Sequence, residues 1–412
     1  MRYDVHFRND VMNMIDGVVN AIKDWNGVTD SSDKDEVEKF VNNVVCFEHC
    51  IIPDRPFLIG GADGSGDFPC VKYGDSYVYF TVAMSRVYEA LPSGILHEHS
   101  IPDHDVVDFL WLPEDQEKSR KRFKEAFSRM MGESVNDICE QSDYYVYKKE
   151  KAKGKAPKDR QGLLGDKVLI LPPAHDADNI GIQLLTVAEV GSLVRLMKSD
   201  GLGRWKDMPI YLLEDTTLAL PMVEAKSTLF FEIAKRYACV VARDKDIIYM
   251  TVSKSHNMPH MDMIEDLISK VNPSGEHWFV RIPGGAAGGQ KPDFLGTRVI
   301  PPVGAVSYLF KLHKTTQPMR LDIDYNYWYE HIRSDDCNRQ RENETQLFRD
   351  LDFASHDQRC YGYPYPIKAC HDMASLTNGE RLSMRKQVID SAVKAGLKRK
   401  NFVDPEIQTG HS

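Results

Sequence analysis

Three carboxylates in this 412-residue chain stand where apolar runs stop or within one. Asp63 follows Pro56 to Ala62 (PFLIGGA), Asp215 ends the run PIYLLED, and Glu189 lies in TVAEVGSLVRLM among apolar neighbours. Hard divalent cations select carboxylate oxygens. Two such ions, roughly 3.5–4 Å apart and sharing ligands, can grip a scissile phosphate and activate a water against it. Each acid also has a plain reading, as a turn cap, a solvated strand end or a helix-edge charge. Their order along the chain, strand Asp, helix Glu, strand-end Asp, is what points to one site. Glu214 and Asp215 face opposite sides of a strand, so one of the two is expected to enter, and Asp215 is the choice.

Other side chains fit around such a centre. Lys254, just after an apolar strand, can neutralise a phosphate or the charge that develops in a transition state. Tyr363 and Tyr365 can stack on unpaired bases, at roughly 1–3 kcal/mol per base, or pack a Tyr-Pro turn. His97, His99 and His104 lie near Glu98, Asp103 and Asp105, but adjacent His-Glu-His in a loop is poorly spaced for convergence on a metal. Cys46 and Cys50 bracket His49, with Cys360 and Cys370 far downstream; buried free thiols are the simpler account, zinc or an iron–sulfur cluster the other.

Several elements must position these groups. Residues 8–45 have helical periodicity, with Val11, Met14, Ile15, Val18, Val19 and Ile22 at three- and four-residue steps. Strands are expected at Pro56 to Ala62 and Ser76 to Met84, forming a hairpin, with Asp63-Gly64-Ser65-Gly66 as a turn between them. Residues 92–166 read as a long insertion with a histidine-rich turn, a charged helix (Glu114 to Met131) and a Lys/Gly-rich stretch at Lys148 to Lys158. Then come a strand at Lys167 to Leu171, a helix at Ile180 to Lys198, a strand at Pro209 to Leu213, a helix at Met222 to Tyr237 and a strand at Ile247 to Val252. A short helix at Met261 to Val271, strands at Ala305 to Leu312 and Met319 to Ile323, and two final helices complete the reading. This alternation predicts an α/β fold with a mixed sheet flanked by helices. The run Pro283 to Gln290 lacks the Lys-Ser/Thr ending of a phosphate loop and reads as a loop.

Composition sets outer limits. Charged residues make up 27% and apolar residues 42%, so a globular core is expected. Acidic residues interrupt the N-terminal 19 residues, and no window approaches 18 consecutive apolar positions, so the expectation is neither secretion nor a membrane span but a cytoplasmic protein. Eight cysteines spread over this length suit free thiols in a reducing compartment. A net charge of −9 argues against a protein that coats nucleic acid by charge alone. It leaves room for a nuclease whose own metal ligands are acids and whose basic stretches, Lys148 to Lys158 and Arg381 to Lys400, are local.

Four segments then resemble blocks of the NurA nuclease family: LIGGADGSGDFP (58–69), YLLEDTTLALP (211–221), VSKSH (252–256) and YGYPYPIKACHDMASLTNGER (361–381). The last, a Tyr-Pro-rich turn running into a helix near a histidine, is the most distinctive. The resemblance implies a ribonuclease H-like core over 51–385, with a helical lead-in (1–50), the insertion (92–166) and a basic C-terminal tail (386–412). It implies Asp63, Glu189, Asp215 and His371 as ligands of two Mn2+ or Mg2+ ions, with His371 as a metal or phosphate ligand. It further implies cleavage of DNA ends and single strands, in repair or defence, by a homodimer fed by a HerA-like hexameric ATPase. No ATP motif stands in this chain, so translocation belongs to that partner. The chain departs from the family pattern in reading Asp215-Thr216-Thr217 where Asp-Gly is usual, and in the length of 92–166. Two rivals remain: a catalytically silent nucleic-acid-binding module on the same core, and an actin-like sugar kinase, which would need a second glycine-rich phosphate turn that the sequence lacks.

Overall fold

The computed structural model describes residues 5–26, 37–102, 104–142, 169–218, 228–255, 261–282 and 305–403. In chain order the helices are α1 (Val5–Asn26), α2 (37–41), α3 (Gln116–Met131), α4 (Val135–Gln141) and α5 (Ala177–Lys198). They continue with α6 (Phe230–Asp244), α7 (Met261–Val271), α8 (Cys337–Ala354), α9 (Tyr365–Ala374) and α10 (Asn378–Lys394). The strands are β1 (Val45–Cys46), β2 (Phe57–Tyr73), β3 (Ser76–Leu91), β4 (Ile95–His99), β5 (Val106–Pro113), β6 (Leu169–Ile170) and β7 (Ile210–Glu214). After them come β8 (Thr228–Leu229), β9 (Ile248–Ser253), β10 (Trp278–Arg281), β11 (Ala305–Lys311), β12 (Met319–Asp324) and β13 (Phe402–Val403). Eleven strands form one sheet in the order β1-β10-β11-β12-β9-β7-β2-β3-β4, with β5 also on β3 and β13 on β2. Within this sheet β2, β7 and β9 run parallel and the other pairings are antiparallel, while β6 and β8 form a separate parallel pair. The α/β mixed sheet flanked by helices is therefore what the alternation predicted.

Alternation along β2 sorts its side chains between two cores. Leu58 and Ala62 join the cluster built on α5, whereas Phe57 and Ile59 join the cluster that includes Ile367 and Ala369 of α9. Gly61 and Gly64 matter by lacking a side chain. A Cβ on Gly61 would stand 2.6 Å from the Ile367 nitrogen, and one on Gly64 2.8 Å from Leu185 Cδ1 and 3.1 Å from Glu189 Oε1. The glycines thus let helices press against both faces of one strand. Asp63-Gly64-Ser65-Gly66 is consequently not a turn: β2 runs straight through it, paired with β3 from Asp63↔Met84 to Gly66↔Thr81. The chain reverses at Gly74, whose φ of 57° suits glycine.

Two boundaries move as well. The stretch read as an insertion from 92 contributes β4 and β5, which together cover β3, and α3, whose Phe123 and Phe127 pack on Phe230. In β4 the polar residues His97, Glu98 and His99 masked the strand. The C-terminal segment is anchored rather than a tail, for Phe402 and Val403 pair with Tyr73 and Lys72, and Arg385 grips buried Asp67 through two 2.7 Å bonds. Helix α1 forms as expected, but Val11, Met14, Ile15 and Val18 on it are exposed. The Lys148 to Lys158 stretch, the glycine-rich run 283–290 and residues 222–227 lie outside the described residues. α5 is long and apolar enough to cross a bilayer, yet 83% of that window is buried within the fold.

Candidate metal centre

Strand β7 ends one residue short of Asp63's level. In the parallel pairing Ala62 stands opposite Glu214, so the next step brings Asp63 and Asp215 side by side beyond the last paired residue. Asp63 belongs to the α9 face of β2, and there His371 Nδ1 lies 3.1 Å from its Oδ2, while the Gly64 N–H donates to its Oδ1 at 2.7 Å. α9 can reach this far because it begins directly after Pro364, carries Pro366 in its first turn and seats on Gly61, where the Cys370 thiol donates to the Gly61 carbonyl at 3.1 Å. Asp215 Oδ2 accepts the Tyr363 hydroxyl at 3.0 Å and pairs with Lys254 Nζ at 3.2 Å. The Lys254 ammonium itself lies 3.8 Å from the Tyr363 ring centre, a cation–π contact.

The other face supplies two more acids. Glu189, on the fourth turn of α5, points through the gap at Gly64 and is almost fully buried. Glu214 is wholly buried, shares its face with Ile210 and Leu212, accepts the Tyr249 hydroxyl on Oε2, and leaves Oε1 without a hydrogen bond. Alternation does put Glu214 and Asp215 on opposite faces, yet both reach the centre because no strand pairing separates the faces beyond the end of β7. The expectation that only one of them enters is therefore corrected. Lys235 of α6, also buried, is the cation nearest in charge effect to Glu214, and it donates to Thr216 Oγ1 at 3.1 Å and the Thr217 carbonyl at 2.8 Å.

The electrostatics are those of crowded like charges. Burial first, and then the charges of Glu214, Asp63 and Asp215, push the Glu189 carboxyl well above the usual range. Burial likewise raises Glu214 to about 7, against the pull of Lys235 and the Tyr249 hydroxyl. Asp63 is raised by burial, opposed by the Gly64 N–H and His371. Burial raises the Tyr363 hydroxyl far above its ordinary value, with Asp215 adding to it, so it stays a donor. Four acids, one carrying an unpartnered buried oxygen, face mainly Lys235, Lys254 and His371, a donor set of hard oxygens that suits a divalent cation. Among the described residues the trio whose ligand atoms all lie within 4.8 Å of one another lies elsewhere.

Asp63, Glu189, Asp215, His371 and Lys254 thus come together, as does Tyr363, though in another role. Its ring is buried under Lys254, so it holds Asp215 and Lys254 instead of stacking on bases. Tyr365 does not join them; it packs edge-on to Tyr88, with Arg359 over its face, because the first turn of α9 buries that side against β3. Glu214 and Lys235 were missed. The signal for Lys235 was the charged pair Lys235-Arg236 inside the otherwise largely apolar run from Phe230 to Ala242. Thr216 and Thr217, the departure from the family pattern, have partners of their own: Thr216 accepts from Lys235 and Thr217 donates to Asp322 at 2.6 Å. The histidine-rich stretch does not converge, since His99 pairs with Glu89 at 2.9 Å and His104 lies 2.8 Å from the Ser85 carbonyl; Asp103 lies outside the described residues. All eight cysteines are free thiols.

No family model and no curated protein matches this chain. Solved structures of NurA nucleases do match over nearly its whole length. The NurA nuclease from Sulfolobus solfataricus superposes with a TM-score of 0.42 at 11% identity, covering 96% of this chain and 99% of that one. A NurA bound to dAMP and manganese gives 0.40 at 10% identity, over 96% and 98%. Endonuclease V of Ciona intestinalis, in complex with an inosine-containing 24mer DNA, gives 0.26 at 11% identity, over 89% and 99%. These are likenesses of overall outline; the site rests on its own geometry.

Proposed function

We propose that this chain is a metal-dependent nuclease that hydrolyses phosphodiester bonds in DNA, with Asp63, Glu189, Glu214 and Asp215 as the carboxylates that hold Mn2+ or Mg2+. The observation that carries this reading is the meeting of four acids from both faces of the sheet at the end of β7, one with a buried oxygen lacking any partner. A two-metal arrangement draws on all four acids. The bound cation supplies charge neutralisation at the phosphate and activation of the attacking water. The protein's own groups do the rest. Asp63 and Asp215 are fixed by His371, the Gly64 N–H, Tyr363 and Lys254, so their oxygens are oriented before substrate arrives. Lys254, half exposed beside Asp215, neutralises a non-bridging phosphate oxygen. His371, half exposed on α9, either completes the ligand set or passes a proton to the leaving oxygen.

DNA as substrate, cutting at ends and in single strands, rests on the resemblance of the four sequence blocks to the NurA family, as do a homodimer and a HerA-like hexameric ATPase as partners. The exposed apolar stripe of α1, Val11, Met14, Ile15 and Val18, is the kind of surface that association covers. The deciding experiment incubates labelled single-stranded DNA with the protein in Mn2+ and in chelator. Cleavage is expected with Mn2+ alone and is lost in Asp63→Asn, which stays folded. Mn2+ binding and DNA binding without cleavage would establish the silent module instead. Co-elution with a neighbouring hexameric ATPase, and a dimer on sizing, test the partners; separate elution at micromolar concentrations would remove them from the proposal.

A further inference from the structure

We propose that His49, His277 and Asp352 form a second metal site, selective for zinc and unconnected with the carboxylate centre. Their ligand atoms all lie within 4.8 Å of one another, the only such trio among the described residues. His49 Nδ1 is 2.8 Å from Asp352 Oδ2, and His277 Nδ1 is 3.3 Å from Asp352 Oδ1. Zinc bonds of about 2.0–2.2 Å to nitrogen and oxygen give tetrahedral edges of roughly 3.3 Å, so an ion fits with small adjustment.

Three separate elements deliver these groups. His49 lies on the crossing from edge strand β1 to central strand β2, His277 directly precedes β10, and Asp352 sits in the last turn of α8. His277 takes a left-handed φ of 55°, costly for a residue with a Cβ, and its buried Nδ1 makes no well-formed hydrogen bond despite the carboxylate beside it. Asp352 is 2% exposed and has no lysine or arginine partner among the described residues; the two imidazoles and the Cys50 N–H, at 2.8 Å, are what face it. The ring of His356 stands 4.0 Å from that of His49, next to fill a fourth position that water can otherwise take. Two imidazole nitrogens with one carboxylate favour zinc over Mg2+ or Ca2+, which select all-oxygen shells. A bound ion would tie the β1–β2 crossing and the turn before β10 to α8, a stapling role.

The competing arrangement is an imidazolium–carboxylate network with no ion. The test strips the full chain of metal, then titrates it with Zn2+, and separately with Co2+, at neutral pH. A tight zinc equivalent that persists in Asp63→Asn is expected, with the strong visible absorption of tetrahedral Co2+. His49→Gln, His277→Gln and Asp352→Asn should each weaken zinc by at least about 100-fold. Asp63→Asn should leave it unchanged. X-ray absorption of the zinc-loaded parent, independent of any variant's folding, should show a nitrogen and oxygen shell with two imidazoles. Absence of a tight equivalent, a sulfur shell, or zinc lost with Asp63→Asn but kept in His277→Gln would overturn the proposal.

Discussion

Replacing Glu214 by Gln isolates the electrostatic argument for the metal centre. In the folded protein this carboxyl releases its proton near pH 7 against an ordinary 4.5, chiefly because it is wholly buried. A raised carboxyl makes folding favour the protonated form. Its contribution is fully present below about pH 4.5, is lost as pH rises towards 7, and stays lost above that. At about 1.4 kcal/mol per decade the loss is roughly 3 kcal/mol. Gln stays neutral at every pH and keeps an oxygen for the Tyr249 hydroxyl. Its amide, placed where Oε1 has no partner, adds a cost of about 1–3 kcal/mol, but one that does not depend on pH.

The readout is therefore a difference of differences. Urea or thermal unfolding of parent and Glu214→Gln, in chelator, should show the variant gaining on the parent by roughly 3 kcal/mol between about pH 4 and pH 8. Added Mn2+ should reverse the ranking at pH 8. The cation replaces the proton in the parent, and ligand binding to the native state stabilises it, whereas the variant has one anionic ligand fewer. A variant whose deficit is the same at both pH values, and which gains as much from Mn2+ as the parent, would refute the reasoning and make Glu214 an ordinary buried acid balanced by the charge of Lys235.

Other changes separate the remaining roles. Lys254→Ala should lower turnover by about 100-fold or more with little loss of fold, since the ammonium is half exposed and serves the phosphate; single-turnover cleavage checks it. Tyr363→Phe keeps the ring under Lys254 but removes the donor to Asp215, and should cost about tenfold in turnover. Gly61→Ala puts a Cβ 2.6 Å from the Ile367 backbone, so α9 must lift; unfolding should show a loss of about 1–3 kcal/mol, with activity falling further as His371 leaves Asp63. His371→Ala should cost turnover more than DNA affinity, and His371→Asp should keep part of the activity, as measured by cleavage and filter binding.

The parts of this fold that carry a strong period were legible in the sequence. PIYLL, VSYLF and the α5 run have compositions that few other structures accept, and their bounds shift by only a few residues. Asp63-Gly64-Ser65-Gly66 was misread because glycine and aspartate signal turns by local propensity, whereas here Gly64 serves a contact with a helix more than 100 residues away in the chain and Gly66 makes room for the Phe68 ring. The β4–β5 stretch was hidden for another reason. In β5 the inward Val106, Leu110 and Leu112 are buried, but the outward Val107, Phe109 and Trp111 are apolar and exposed, so the polar–apolar alternation that marks a half-buried strand is absent.

Glu214 is the instructive miss, because the alternation rule used to exclude it is obeyed. Its side chain does leave β7 on the face of Leu212, away from Asp215. What the rule omits is where the strand stops. Within a paired sheet, backbone and side chains keep the two faces apart; one residue past the last pair, at the level of Asp63, nothing does. The missing side chain of Gly64 opens the same passage to Glu189 from α5. A site at the end of a central parallel strand can thus collect acids from both faces, which matches the general tendency of α/β sheets to bind ligands beyond the carboxyl ends of their strands. An acid that closes a buried strand, directly followed by a second one, is therefore better read as a pair of candidates than as a choice between them.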